Sequence, residues 1–245
     1  MRDEIARGKR AADAALAVRL LLDQSNPELV WINRVLAASE QASPTNIRVV
    51  LDQARNELGL ATTIDDVLMP AMRQVGAWWE SGRCNVAQEH LMTETARGWL
   101  ARLTILMPVV TYEPPIVLAC GPRDMHTVGL EALAALLAEE RRGCRVLGAR
   151  TSELTLVTAA TATAAAAVVV ISQLHSHRRA AVDALRAVDK ASCPVFYAGN
   201  AFAFPGDRQR VPGTYLGDNI SKASTIILES LLAGAPSPRL PQHAA

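Results

Sequence analysis

Beyond residue 115 the chain alternates short apolar runs with longer helical patterns, and that alternation leaves few folds open. Runs of about five apolar residues bounded by turn signals read as strands buried on both faces. They occur at Ile116–Cys120, Cys144–Gly148, 167–172, 194–199 and near Tyr215. Helical stretches at 127–142, 152–163, 177–188 and 219–232 follow them, and Gly143 stands where a closing C′ glycine is expected. Repeated β-α units need parallel strands joined by crossover helices. The pattern therefore predicts a doubly wound five-stranded parallel sheet, Rossmann-like and of flavodoxin type, over residues 114–234. Such sheets bind ligands beyond the carboxyl ends of their strands. His126, Ser172 and Gly199 all fall at those ends.

The first hundred residues carry a different period. Helical patterns run over 11–22, 28–39, 46–58, 63–79 and 86–106, with breaks at Asn26-Pro27 and Ser43-Pro44. Thr63-x-x-Asp66 reads as an N-terminal signal, and Pro70 predicts a kink or a restart. Residues 45–108 are expected to form a four-helix bundle, preceded by a helical extension over 1–44. Tyr112-Glu113-Pro114-Pro115 reads as a linker, and the Pro-rich stretch 235–245 as a disordered tail.

Composition narrows the partners. The 25 Lys and Arg residues balance 24 Asp and Glu, with no basic stripe, so nothing points to nucleic acid or membrane as a direct partner. The four cysteines form no C-x-x-C pair and read as free thiols in a reducing compartment. No secretory leader pattern opens the sequence, and a soluble, cytoplasmic protein is expected.

Chemistry concentrates at Asp124-Met125-His126-Thr127-Val128-Gly129, directly after the first strand. A carboxylate two residues before a histidine holds one imidazole nitrogen and leaves the other to a metal. Gly129 lets the next helix start close to whatever occupies the loop. This resembles the D-x-H-x-x-G signature of cobalamin-binding domains, in which the histidine is the lower axial ligand of cobalt. That family carries a second element, S/T-x-L, after its third strand, and here Ser172-Gln173-Leu174 stands there. It carries a third, usually Gly-Gly, after its fourth, and here Gly199-Asn200 stands there, with Asn200 a departure. The resemblance implies that His126 binds cobalt, that Ser172 meets the displaced nucleotide base, and that Gly199 gives the tail room. His175 and His177 lie on the same loop and read as exposed loop histidines or tail contacts.

The helical half adds Trp79-Glu80-Ser81-Gly82-Arg83-Cys84-Asn85-Val86-Ala87-Gln88-Glu89-His90. It is similar to the Trp-x9-Glu-His motif in the helical cap of CarH-type cobalamin photoreceptors. That resemblance implies an upper pocket of Trp79, Val86, Glu89 and His90 around the 5′-deoxyadenosyl group. Members of the family carry a histidine directly after the tryptophan, where this chain has Glu80. They also carry a helix-turn-helix, which the first 44 residues do not resemble. Together the two resemblances imply an adenosylcobalamin-binding light sensor, not an enzyme. Such a sensor signals by self-association or through a separate regulatory protein, as antirepressors do, without specific DNA binding of its own. Resemblance to photocobilins extends the cofactor list to a bilin such as biliverdin. The alternative is a corrinoid shuttle protein of a methyltransferase system.

Overall fold

The computed structural model describes residues 26–108 and 113–234. The expected helix at 11–22 and the tail at 235–245 lie outside the described residues. The chain divides into two compact units at Leu100.

The first unit is helical. Helix α1 (Pro27–Glu40) starts where Asn26 accepts a hydrogen bond from the Leu29 N–H and Pro27 takes the first turn. Helix α2 (Pro44–Leu58) starts the same way, with Ser43 accepting from the Asn46 N–H. Gly59, at φ +81°, ends α2 and opens α3. Helix α3 runs through three joined segments: Leu60–Thr62, a π-helical stretch Thr63–Leu68, and Met69–Glu80. Helix α4 is Val86–Leu106. The helix at Pro27 is part of this bundle, since α1 packs on α2 and α3 and buries Trp31, Val35 and Leu36.

Of two local expectations here, one fails. Thr63 does not cap a helix, because its hydroxyl donates to the Gly59 carbonyl from inside the π-helical stretch. Pro70, by contrast, does mark a restart: it lies in the first turn of the α-helical segment Met69–Glu80, directly after the π-helical stretch. It lacks an N–H and its ring crowds the carbonyl four residues back, and the wider π turn lies over that stretch of backbone. The core holds Ile47, Leu51, Ile64, Leu68, Met92 and Trp99. The Trp99 indole donates to Asp52 at 2.8 Å, so the largest core side chain keeps its polar atom paired.

The second unit is the expected sheet. Strands β1 (Ile116–Cys120), β2 (Cys144–Gly148), β3 (Ala167–Ile171), β4 (Val195–Ala198) and β5 (Thr214–Tyr215) pair in parallel in the order β2-β1-β3-β4-β5. β1 and β3 are buried on both faces. Alternate residues therefore feed two cores. Ile116, Leu118 and Cys120 meet Leu130, Leu133 and Leu137 of helix α5 (Val128–Glu139) and Ile227 of helix α8 (Ile220–Gly234). Val117 and Ala119 meet Leu156 of helix α6 (Glu153–Ala162) and Leu185 of helix α7 (Arg178–Lys190). Helix α5 closes before Gly143. Arg141 at φ +62° is its left-handed residue, and the Arg142 N–H reaches back to the Leu137 carbonyl. Chain direction across the sheet reverses between β1 and β3, which opens a crevice beyond their carboxyl ends.

Candidate functional site

Asp124 lies on the loop beyond the carboxyl end of β1, at the switch point of the sheet. The Asp124 N–H donates to the Gly121 carbonyl, and its own carbonyl accepts from the Arg150 N–H at 2.8 Å. This pins the loop leaving β1 to the loop leaving β2. The side chain has no solvent exposure. Its Oδ1 accepts from the His126 N–H at 2.9 Å and lies 2.7 Å from His126 Nδ1. Its Oδ2 accepts from the Gln173 N–H at 2.5 Å and from the Ser172 hydroxyl at 3.3 Å. Burial alone would push this carboxyl up, but hydrogen bonds from the His126 side chain and main chain and from Gln173 hold it well below the usual carboxylate range. Asp124 is therefore an ionised carboxylate clamped between two strand ends.

His126 is oriented by that clamp, and its side chain is 55% exposed. With Nδ1 engaged by Asp124, a metal would be met by Nε2. Cobalt in a corrin already has four equatorial nitrogens, so one imidazole is a sufficient protein donor set, and this arrangement fits one. At Gly129, on the first turn of α5, an added Cβ would meet nothing within 4 Å, in keeping with open space at the start of that helix.

The remaining sheet residues stand close by. Ser172 is fully buried, and its hydroxyl donates to Asp124 Oδ2 at 3.3 Å. Gly199 has φ +104°, and an added Cβ would collide with the Ser172 carbonyl oxygen and lie 2.8 Å from its carbon. The glycine thus serves the close approach of two strand ends. Leu174 is 44% exposed on the same rim. His175 lies 3.7 Å from Asp207, and His177, only 23% exposed, lies 3.9 Å from Asp124 Oδ2. The sequence reading missed Gln173, which acts through its main-chain N–H, and left His177 as an exposed loop histidine or a tail contact without its approach to Asp124. No local pattern signals either role.

In the helical unit, Asn85 and Gln88 form a reciprocal cap. The Gln88 N–H donates to Asn85 Oδ1 at 2.9 Å, and the Asn85 N–H donates to Gln88 Oε1 at 3.1 Å. This cap sets the start of α4 and puts Val86, Glu89 and His90 on one face of its first turns. Thr93, one turn further, donates its hydroxyl to Glu89 Oε1 at 2.8 Å, and His90 Nε2 lies 3.6 Å from the same carboxylate. Trp79 is the last residue but one of α3 and is 49% exposed, and Val86 is 50% exposed. The Glu89 side chain, 28% exposed, shares the α4 face with Val86.

Residues 31–104 match the family model of the B12 binding domain. That match coincides with the four-helix unit. The chain is 36% identical over 116 residues to the HTH-type transcriptional repressor CarH of Myxococcus xanthus, covering 47% of this chain and 38% of that protein. It is 34% identical over 104 residues to the HTH-type transcriptional repressor CarA of the same organism, covering 42% and 34%. The chain thus spans little more than a third of the curated relatives it matches. In structure it is similar to the monomethylamine corrinoid protein of Methanosarcina barkeri, with a TM-score of 0.66 at 13% identity over 85% of this chain and 99% of that one. At that identity the likeness shows the fold. Helical unit and parallel sheet together have the architecture of corrinoid-binding proteins.

Proposed function

We propose that this protein binds adenosylcobalamin and senses light through it, passing the signal on by protein–protein association. The observation that carries the cobalamin reading is the Asp124–His126 pair: a fully buried, ionised carboxylate fixing the tautomer of a half-exposed imidazole at the switch point of a parallel sheet. The B12 binding domain match and the partial identity to CarH and CarA support the same cofactor. The resemblance of the Trp79-x9-Glu89-His90 string to the cap motif of the photoreceptors, with Trp79 and Val86 both exposed, favours the adenosyl form, because an adenosyl group offers a base to pack and a ribose to hydrogen-bond, and a methyl group offers neither.

In this reading the cofactor supplies light-driven cleavage of its cobalt–carbon bond. His126 would hold the metal through Nε2, with Nδ1 engaged by Asp124. Trp79, Val86 and Glu89 hold the adenosyl group and lose their occupant when it leaves. A rearrangement of α3 and α4 at that point alters the surface offered to a partner. Glu80 stands where the resembled photoreceptors place a histidine, so no imidazole would be supplied to the metal from that position.

The test is the absorbance spectrum and gel-filtration volume of the adenosylcobalamin-loaded protein, in the dark and after illumination. A shift in both supports the sensor. Equal affinity for methylcobalamin and adenosylcobalamin, with no light-dependent change in association, would favour a methyl carrier instead.

A further inference from the structure

His177 begins the turn into α7 and is anchored on both sides. Its N–H donates to the Leu174 carbonyl at 2.9 Å, and its neighbour Arg178 donates through Nε to the Asp207 carbonyl at 2.8 Å. The ring is carried into the wall of the crevice. Its Nδ1 is shielded from solvent, has no hydrogen-bond partner among the described residues, and lies 3.9 Å from Asp124 Oδ2. A shielded polar nitrogen left unpaired is costly, and the nearest charged acceptor is a carboxylate held in its ionised form. The four lone-pair sites of that carboxylate are taken by the His126 N–H, His126 Nδ1, the Gln173 N–H and the Ser172 hydroxyl. The Ser172 contact is the long one, at 3.3 Å. It is the one that an approaching imidazole N–H would displace.

We propose that His177 is a positioning residue that competes with Ser172 for Asp124 Oδ2 and so sets how strongly His126 donates to cobalt. This rests on the reading of His126 as the lower cobalt ligand. In the tautomer with its hydrogen on Nδ1, a turn of the His177 ring of about 1 Å brings that N–H into hydrogen-bonding range of Oδ2. An imidazole donor draws more charge from the carboxylate than a distant hydroxyl does. Oδ1 then accepts less strongly from His126 Nδ1–H, and Nε2 of His126 becomes a weaker ligand. His177 therefore opposes His126. Its removal strengthens the cobalt bond, which is the reverse of what loss of a merely structural side chain would do.

Two measurements test this. The first uses the protein alone: imidazole 15N NMR of the apo chain should show His177 with hydrogen on Nδ1, and Asp124→Asn should shift that signal. A His177 ring protonated only on Nε2 and indifferent to Asp124→Asn overturns the proposal without touching the cobalamin reading. The second uses diaquacobinamide, which has no nucleotide base of its own to compete. His177→Leu should raise the affinity of the histidine-ligated form about threefold, and His177→Gln, which keeps an N–H donor, should return it toward the parent value. Unchanged or weakened ligation in His177→Leu overturns the proposal. The same titration on His126→Ala keeps the two readings apart: a spectrum identical to the parent's would remove His126 as ligand, whatever His177 does.

Discussion

A carboxylate without solvent exposure ordinarily resists ionisation, because burial strips the hydration of its charge. Asp124 escapes this through the donors converging on its two oxygens. Its folded pKa is depressed, so it stabilises the fold above the ordinary carboxylate value of about 4, and that contribution is lost as pH falls through the folded value. Urea unfolding should therefore show Asp124→Asn less stable than the parent at pH 7, with the gap narrowing as the solution is acidified. Parallel pH profiles would mean that the clamp carries no charge. The same substitution should weaken cobalamin binding about 10–100-fold, as loss of the group behind a metal-bound histidine typically does; a dissociation constant within twofold of the parent's would contradict this. Gly199 makes a separate demand. With φ +104° and Ser172 against its missing Cβ, Gly199→Ala should cost about 2 kcal/mol or more of stability, measured by chemical denaturation. A neutral result would show that the two strand ends can part without penalty.

Elements are positioned by their ends. Asn85 and Gln88 fix where α4 begins, and thereby which side chains share a face with Val86. Replacing a capping Asn by Ala typically costs about 1 kcal/mol. Asn85→Ala should lower the thermal midpoint and, by fraying the first turn, also reduce the preference for adenosylcobalamin over methylcobalamin. Trp79→Ala should abolish that preference with little change in stability, since the ring is only half-buried. A calorimetric titration with both cofactor forms separates the two effects, and a Trp79→Ala protein that keeps its preference would remove the tryptophan from the upper pocket. Helix existence and length were legible from periodicity, whereas the chemistry of the ends was legible only in part. Asn26-Pro27 and Ser43-Pro44 announced two starts because cap and proline are local signals. Thr63 did not, because its hydroxyl finds a carbonyl one turn back and serves a π-helical stretch. Gly143 was the obvious terminator of α5, yet Arg141 adopts the left-handed conformation, two residues earlier.

At the scale of the whole molecule, 25 basic residues are offset by 24 acidic ones. Specific DNA binding needs clustered phosphate contacts and an element that enters a groove. The isolated chain should accordingly show no sequence-specific binding in a gel-shift assay, dark or lit, while its gel-filtration volume changes with light; tight binding to one DNA sequence would refute this. No helix among the described residues is long and apolar enough to cross a membrane.

The order of strands and helices along the chain was written in the amino-acid pattern, because apolar period depends only on near neighbours. The pieces of the sheet-edge site, Asp124, His126, Ser172 and Gly199, were legible as short motifs for the same reason. Their joint action was not. Ser172 and Gln173 reach Asp124 across 48 and 49 residues of chain, and only the placement of β3 beside β1 brings them there. The burial and charge of Asp124, the collision that reserves Gly199 for glycine, and the approach of His177 all depend on which strand ends become neighbours. That is a property of packing between distant segments, and no local window of sequence contains it.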